Sequence, residues 1–239
     1  MSVYLYIIAA LAGVGAIMNV FAIRRSSVTP ANAWKKYGVF VSYVALLVFS
    51  LFLHPDYRLL LYAVLGCIGL VEFASRILRS NWKVGKILSI LLYLQIILGF
   101  VLSAQMPQET IADVILTVIV FDSFSQLFGQ LFGKKKLIPK VSPGKTVGGT
   151  VGGFFSALLV SLLVFYSKSS PKNSVVGHVL IVTSYILYAF LGDFIASWIK
   201  RKLNIKDFGD WLPGTGGWND RFDSVFFALS LSYLFSQLL

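Results

Sequence analysis

The sequence predicts an all-α fold, a polytopic integral membrane bundle of about eight transmembrane helices, and three observations carry that prediction. The first is composition: of 239 residues, 57% are hydrophobic and 13% charged, with a mean hydropathy of +0.79. A soluble domain carries about a quarter charged residues, and one soluble core of this size could not bury so much apolar surface. The second is that the apolar residues gather into runs near the length that crosses a bilayer, roughly 20 residues. The third is that lysine and arginine alternate from loop to loop.

The runs fall at residues 3–23, 38–53, 59–75, 87–104, 111–132, 147–167, 175–199 and 222–238. Residues 3–23 precede Arg24 and Arg25, whereas a cleaved signal peptide carries its positive charge before the apolar run, so this segment reads as a retained first helix. Runs 38–53 and 59–75 are short and separated by His54-Pro55-Asp56, so one re-entrant hairpin is the alternative to two spans there. No repeat divides the chain. It reads as one membrane domain, with N-terminal helices over 1–110 and a C-terminal region over 111–239 whose Gly- and Pro-rich loops 133–146 and 200–221 are where a site is expected.

The basic residues set the orientation. Arg24, Arg25, Lys35 and Lys36 lie around the first loop, and Arg76, Arg79, Lys83 and Lys86 around the third. Lys134, Lys135, Lys136, Lys140 and Lys145 lie in the fifth, and Lys200, Arg201, Lys202, Lys206 and Arg221 in the seventh, which makes 18 of the 21. Only Arg58, Lys168 and Lys172 fall in even loops. Cytoplasmic loops hold the positive charge, so the odd loops are expected in the cytoplasm and both termini outside. Because the net charge of +11 is spread over short loops and forms no continuous stripe, a nucleic-acid partner is excluded. Cys67 is the single cysteine and sits in an apolar run, so it reads as a small packing residue; there is no intrachain disulfide and no thiolate metal site. His54 and His178 stand alone near the ends of spans and read as interfacial.

The polar chemistry collects in the second half. Asp122 lies inside the fifth span, where a carboxylate costs about 2.5–3.5 kcal/mol and needs a partner or a wet cavity. Asp122, Gln126, Gly129 and Gly133 share one helical face above Lys134-Lys135-Lys136. Asp193 repeats the pattern, with Ser197, Lys200 and Arg201 on its face; a structural ion pair is the plainer reading. The loop 200–224 interleaves Lys206, Asp207, Asp210, the turn Pro213-Gly214-Thr215-Gly216-Gly217, Asn219, Asp220, Arg221 and Asp223. Interleaved acids and bases suit a metal-bound polyphosphate: Asp220 and Asp223 are one turn apart and offer hard oxygen ligands, and glycines let backbone N–H groups approach an anion. A solvated loop with an acidic helix start is the alternative. Ser142-Pro143-Gly144-Lys145-Thr146 is not a P-loop, because Pro139 stands where the first glycine belongs. The run Gly148-Gly149-Thr150-Val151-Gly152-Gly153 fits close helix packing, or a triphosphate beside Lys145.

At these positions the sequence resembles the phosphatidate cytidylyltransferases, also called CDP-diacylglycerol synthases. Their signature, Ser-x-apolar-Lys-Arg, Lys-Asp, Leu-Pro-Gly-His-Gly-Gly, Asp-Arg-x-Asp, meets Ser197, Lys200, Arg201, Lys206, Asp207, Leu212, Pro213, Gly214, Thr215, Gly216, Gly217, Asp220, Arg221 and Asp223. Upstream, Asp122 with Gly129, Ser142-Pro143 and Lys145-Thr146 resemble a second motif block, so the likeness covers residues 122–224. It departs at Thr215 for histidine, at Val147 and Gly148 for tryptophan and glutamate, and at Ala196, where a glutamate often precedes the serine.

The resemblance implies transfer of the cytidylyl group of CTP to a lipid phosphate, phosphatidate first, in phospholipid biosynthesis, with Mg²⁺ and room for a second cation. It implies that Asp193, Asp220 and Asp223 hold metal and that Lys200 and Arg201 act with them on the reacting phosphates. Ser142, Lys145, Thr146, Lys206, Asp207, Gly216, Gly217, Arg221 and Asp122 would bind substrate. The site is expected at the cytoplasmic face, with a homodimer as a candidate assembly. A CTP-dependent polyprenol or phytol kinase and a catalytically silent paralogue are the alternatives, and the departures leave the true acceptor open.

Overall fold

The structure is a computed structural model that describes residues 2–25, 29–80, 82, 85–167, 174–212 and 215–238. Eight helices form one bundle among the described residues: α1 (Ser2–Arg25), α2 (Pro30–Phe52), α3 (Pro55–Arg79), α4 (Gly85–Leu102), α5 (Gln108–Phe132), α6 (Val147–Ser167), α7 (Val175–Lys202) and α8 (Asn219–Ser236). Six of them, α2 to α7, are long and apolar enough to cross a membrane; in α1 the apolar stretch is Val3–Ala16. The re-entrant alternative for α2 and α3 is overturned. Pro55 at the first position of α3 starts a new helix, as a proline does where its missing N–H has no intrahelical partner, rather than breaking a short one. With 23 and 25 residues, each is about 34 Å or longer at 1.5 Å per residue, enough for a hydrocarbon core of about 30 Å.

α5 is the core helix. Every residue from Val114 to Phe121 is buried, as expected of a helix that is apolar all round. α6 packs closest on it through the glycine run, since a Cβ on Gly149 would come within 2.5 Å of the Ser125 carbonyl oxygen and one on Gly153 within 2.7 Å of the Phe121 carbonyl. The close-packing reading of that run therefore holds. α8 is the second buried helix and touches α7, α4 and α5. It meets α4 where Gly99 faces Ser230, and Phe100 packs edge-on to Phe226 with ring centroids 4.6 Å apart. At the far end, the buried Arg58 donates to the Ala104 carbonyl at 2.7 Å, closing the end of α4 with charge.

The outer surface is apolar, with Phe49, Leu91, Leu159 and Leu180 exposed, as hydrocarbon contact requires. Cys67 is exposed on this surface rather than packed, because it falls on the outer face of α3, opposite Tyr62, Gly66 and Gly69. His178 is buried, not interfacial; it shares a 2.6 Å hydrogen bond with Ser161 and lies against the Phe165 ring. Among the described residues the two strands form a hairpin, β1 (Lys136–Ile138) and β2 (Ser142–Thr146), antiparallel, inside the fifth loop.

Candidate active site

The hairpin places Lys145. β2 runs directly into α6, and Thr146 Oγ1 accepts the Gly149 N–H at 3.1 Å, capping that helix. One residue earlier, Lys145 Nζ reaches Asp193 Oδ2 on α7 at 2.6 Å and lies 4.5 Å from the centre of the Phe190 ring. Ser197, one turn along α7, donates to the other oxygen of Asp193 at 3.1 Å. The predicted face of Asp193, Ser197 and Lys200 thus exists.

Lys200 has a different partner, Asp220 at the start of α8, at 2.6 Å. Their side chains are 10% and 3% exposed, so this pair is buried. The second Asp220 oxygen accepts the Phe208 N–H at 2.8 Å and the Gly217 N–H at 2.9 Å. The loop reaches it because α7 ends with Asn204 at φ 54° and with Ile205 N–H bonded to the Lys200 carbonyl and Asn204 N–H to that of Arg201, which turns the chain back. Gly216 adopts φ +91°, and a Cβ there would press to 3.1 Å on both Asp207 and Asp220, so glycine is required. Asp220 is therefore fully engaged in holding the loop onto α7.

Asp122 and Asp223 are less engaged: Asp223 Oδ1 accepts the N–H of the next residue, Ser224, at 2.8 Å, and Asp122 hydrogen-bonds the Ser224 side chain. Neither has an ion-pair partner among the described residues. Asp122 interacts electrostatically with Asp193, Lys145 and Asp223, and Asp223 with Asp193, Lys200 and Asp220. Asp122 is exposed although Val120 and Phe121 beside it are buried. Four carboxylates (Asp122, Asp193, Asp220, Asp223) thus share this site with two ammonium groups (Lys145, Lys200), leaving two negative charges unbalanced. A divalent cation with hard oxygen ligands fits that surplus in charge and donor type. Among the described residues, however, no three carboxylates are closed around one point at metal-ligating spacing.

The other sequence candidates are scattered. Arg201 is exposed and donates to the carbonyls of Val141 at 3.1 Å and Ile205 at 3.2 Å, tying the hairpin to α7. Arg221 donates to the Thr215 carbonyl at 2.8 Å. Lys206 is exposed, Asp207 and Ser142 are half-buried beside the loop and on the hairpin, and Gly217 lies against Glu72. Gly129 packs on Gly149 and Thr146. Thr215 turns its hydroxyl back toward the Leu212 carbonyl. Pro213 and Gly214 of the predicted turn, with Lys83, Lys168 and Lys172, lie outside the described residues.

Glu72 was missed by the sequence reading. Only 2% exposed on α3, it accepts the backbone N–H of Trp218 at 3.1 Å and of Asn219 at 2.8 Å, so a carboxylate from the N-terminal half caps α8 across the bundle. Arg76, one turn on, donates to the Phe208 carbonyl at 2.5 Å. Asn219 in turn donates to the Gly69 carbonyl at 2.7 Å and accepts from Tyr93. An ionisable residue inside an apolar run was the available signal. Glu72→Ala is expected to lower stability by about 1–3 kcal/mol, the cost of leaving a buried donor unpaired, read as a lower melting midpoint of the purified protein. Glu72→Gln, which keeps an acceptor, should recover part of it. An unchanged midpoint in Glu72→Ala would remove the cap from the account.

Comparison with known proteins places this site in context. Three relatives are each called phosphatidate cytidylyltransferase. That of Bacillus subtilis is 39% identical over 62 residues, 26% of this chain and 23% of the relative. That of Rickettsia bellii is 41% identical over 59 residues, 25% and 26% of the two chains. That of Helicobacter pylori is 53% identical over 49 residues, 20% and 18%. The chain spans about a quarter of the length of the curated relatives it matches. The match to the Cytidylyltransferase family, by contrast, runs over residues 1–239, and this multi-pass membrane protein belongs to that family.

Proposed function

We propose that the protein transfers the cytidylyl group of CTP to a lipid phosphate, phosphatidate first among them, giving CDP-diacylglycerol and pyrophosphate. The observation that carries this reading is the cluster of Asp122, Asp193 and Asp223 with Lys145 and Lys200, assembled from α5, α7, α8 and the hairpin. Membership of the family and the names of the relatives support it.

In the reaction an oxygen of the lipid phosphate forms a bond to the α-phosphorus of CTP, and the bond from that phosphorus to the bridging oxygen of pyrophosphate breaks. A phosphate monoester is already an anionic nucleophile near neutral pH, so positioning and charge stabilisation supply most of the catalysis. Asp122, Asp193 and Asp223 would hold Mg²⁺, with a second cation as the fuller complement; when bound, the metal neutralises polyphosphate charge. Asp220, also expected as a ligand, bonds Lys200 and the loop N–H groups of Phe208 and Gly217. Lys145 and Lys200 bind phosphate oxygens. Both are paired with carboxylates, Lys145 with Asp193 and Lys200 with Asp220. All these groups come from one chain, so the reading requires no homodimer.

Purified protein with Mg²⁺, CTP and a panel of lipid phosphates should release pyrophosphate and form a CDP-lipid. Release of CDP with phosphorylation of a lipid alcohol would identify a kinase instead. Nucleotide binding without either product would identify a silent paralogue. Since Thr215, Gly148 and Ala196 lie in three separate segments, the panel should extend beyond phosphatidate.

The site is proposed to face the cytoplasm, where the basic odd loops belong and where CTP is dissolved. In a Cys67→Ser background, cysteines at exposed positions Lys136 and Asn204 should resist an impermeant thiol reagent in sealed cells and react after lysis. Labelling of both before lysis reverses the orientation.

A further inference from the structure

A cavity of about 460 Å³ opens between α4, α7 and α8, on the side of α7 away from Lys145. α4 and α7 both pack on α8, and α8 forms its floor through Asn219, Asp223, Phe227, Leu231 and Leu234. That stripe spans sixteen residues, fifteen steps of about 1.5 Å or about 22 Å, so the groove runs along α8 for most of the thickness of a hydrocarbon core. Its walls are apolar, with Ile195 and Ala196 on α7 and the exposed Leu88 and Leu92 of α4 at the rim, so it opens sideways to the hydrocarbon.

The two ends differ. Asp223 and Asn219 stand at the loop end, beside Lys200, and Leu231 and Leu234 at the other. Over the loop end lie Trp82 and Trp198, edge to face with ring centroids 5.9 Å apart, as indole rings sit at a membrane interface. Lys202 Nζ lies 5.7 Å from the centre of the Trp198 ring, and a second cavity lined by Arg79, Trp82 and Lys202 adjoins. An apolar slot open to lipid, with basic groups only at its loop end, matches a molecule with an anionic head and a hydrocarbon tail.

We propose that this groove holds an acyl chain of the lipid phosphate acceptor, which enters sideways between α4 and α7 and lies along α8. The proposal rests on the reading above for what happens at the head. The phosphate then lies beside Lys200 and the carboxylate cluster, because Asp223 borders both the groove and that cluster. Ala196 and Leu231 both line the groove, the first on α7 and the second eight residues from Asp223, about 12 Å along the tail.

The test separates binding from turnover. The wild-type protein, in nanodiscs of phosphatidylcholine without CTP, is titrated with phosphatidate brominated on its acyl chain, and separately with brominated phosphatidylcholine, while tryptophan fluorescence is read. Trp82 and Trp198 line the groove, so brominated phosphatidate should quench more at equal mole fraction, and Ala196→Phe or Leu231→Phe should reduce the excess at least twofold. Where the wild type turns over phosphatidate, the same substitutions should lower the ratio of dioleoyl to dihexanoyl turnover about tenfold. Equal quenching by the two lipids overturns the proposal, and so does an excess that neither substitution reduces. Quenching needs no chemistry, so a wild type that releases no pyrophosphate with any lipid phosphate defeats the reading of the reaction and leaves the groove to be judged by fluorescence alone.

Discussion

Asp223→Asn should reduce pyrophosphate release roughly 10²–10³-fold, the loss seen when one preorganised electrostatic group is removed from a reacting centre, without weakening the fold. Asp223 has no ion-pair partner among the described residues, and the carboxylates of Asp193 and Asp220 act on it. Neutralising it removes the repulsion from those carboxylates together with the attraction to Lys200, so the melting midpoint of the purified protein should change little. The combination of lost turnover and retained stability marks a group present for chemistry. Retained turnover would remove Asp223 from the proposed cation site, and a fall in both quantities would make it structural.

The opposite pattern is expected one turn earlier. Lys200 and Asp220 form a buried pair, and removing one partner of such a pair costs about 3–5 kcal/mol because the other charge is left uncompensated. Lys200→Met should therefore lower the melting midpoint strongly and loosen the loop that Asp220 holds through Phe208 and Gly217. Asp220→Asn should cost less than Lys200→Met, because an amide oxygen can still accept those two N–H groups. In the double variant Lys200→Met with Asp220→Asn neither member of the pair keeps its charge, so it should be more stable than Lys200→Met alone; unfolding of all three variants in detergent gives the coupling between the two sites. If the double variant is as unstable as the sum of the single ones, the two residues do not act as a pair.

These predictions divide the acidic residues in a way that spacing along the chain did not. Asp220 and Asp223 sit one turn apart, and from the sequence they look equivalent. Which of them is free for a ligand depends on where the loop returns. That is set by Asn204 in a left-handed conformation and by Gly216, whose positive φ the sequence only hints at through its glycine. Arg201 and Arg221 show the same limit: both lie in the matching motif, yet both spend their guanidinium groups on backbone carbonyls.

What the sequence determined by itself is the membrane architecture and the neighbourhood of the site. Apolar runs and helix breaks are local properties, and α6 begins and ends at the predicted residues 147 and 167. The faces of Asp193, Ser197 and Lys200 were likewise legible, because helical periodicity fixes which side chains share a side. What only the tertiary structure decided are the contacts between distant segments. Glu72 caps α8 from 147 positions away, Lys145 crosses to Asp193, and the groove exists because α4 and α7 lean on the same helix. No local pattern encodes these contacts, since each arises from how apolar helices pack, and packing in turn decides which polar groups are left to find one another inside the bundle.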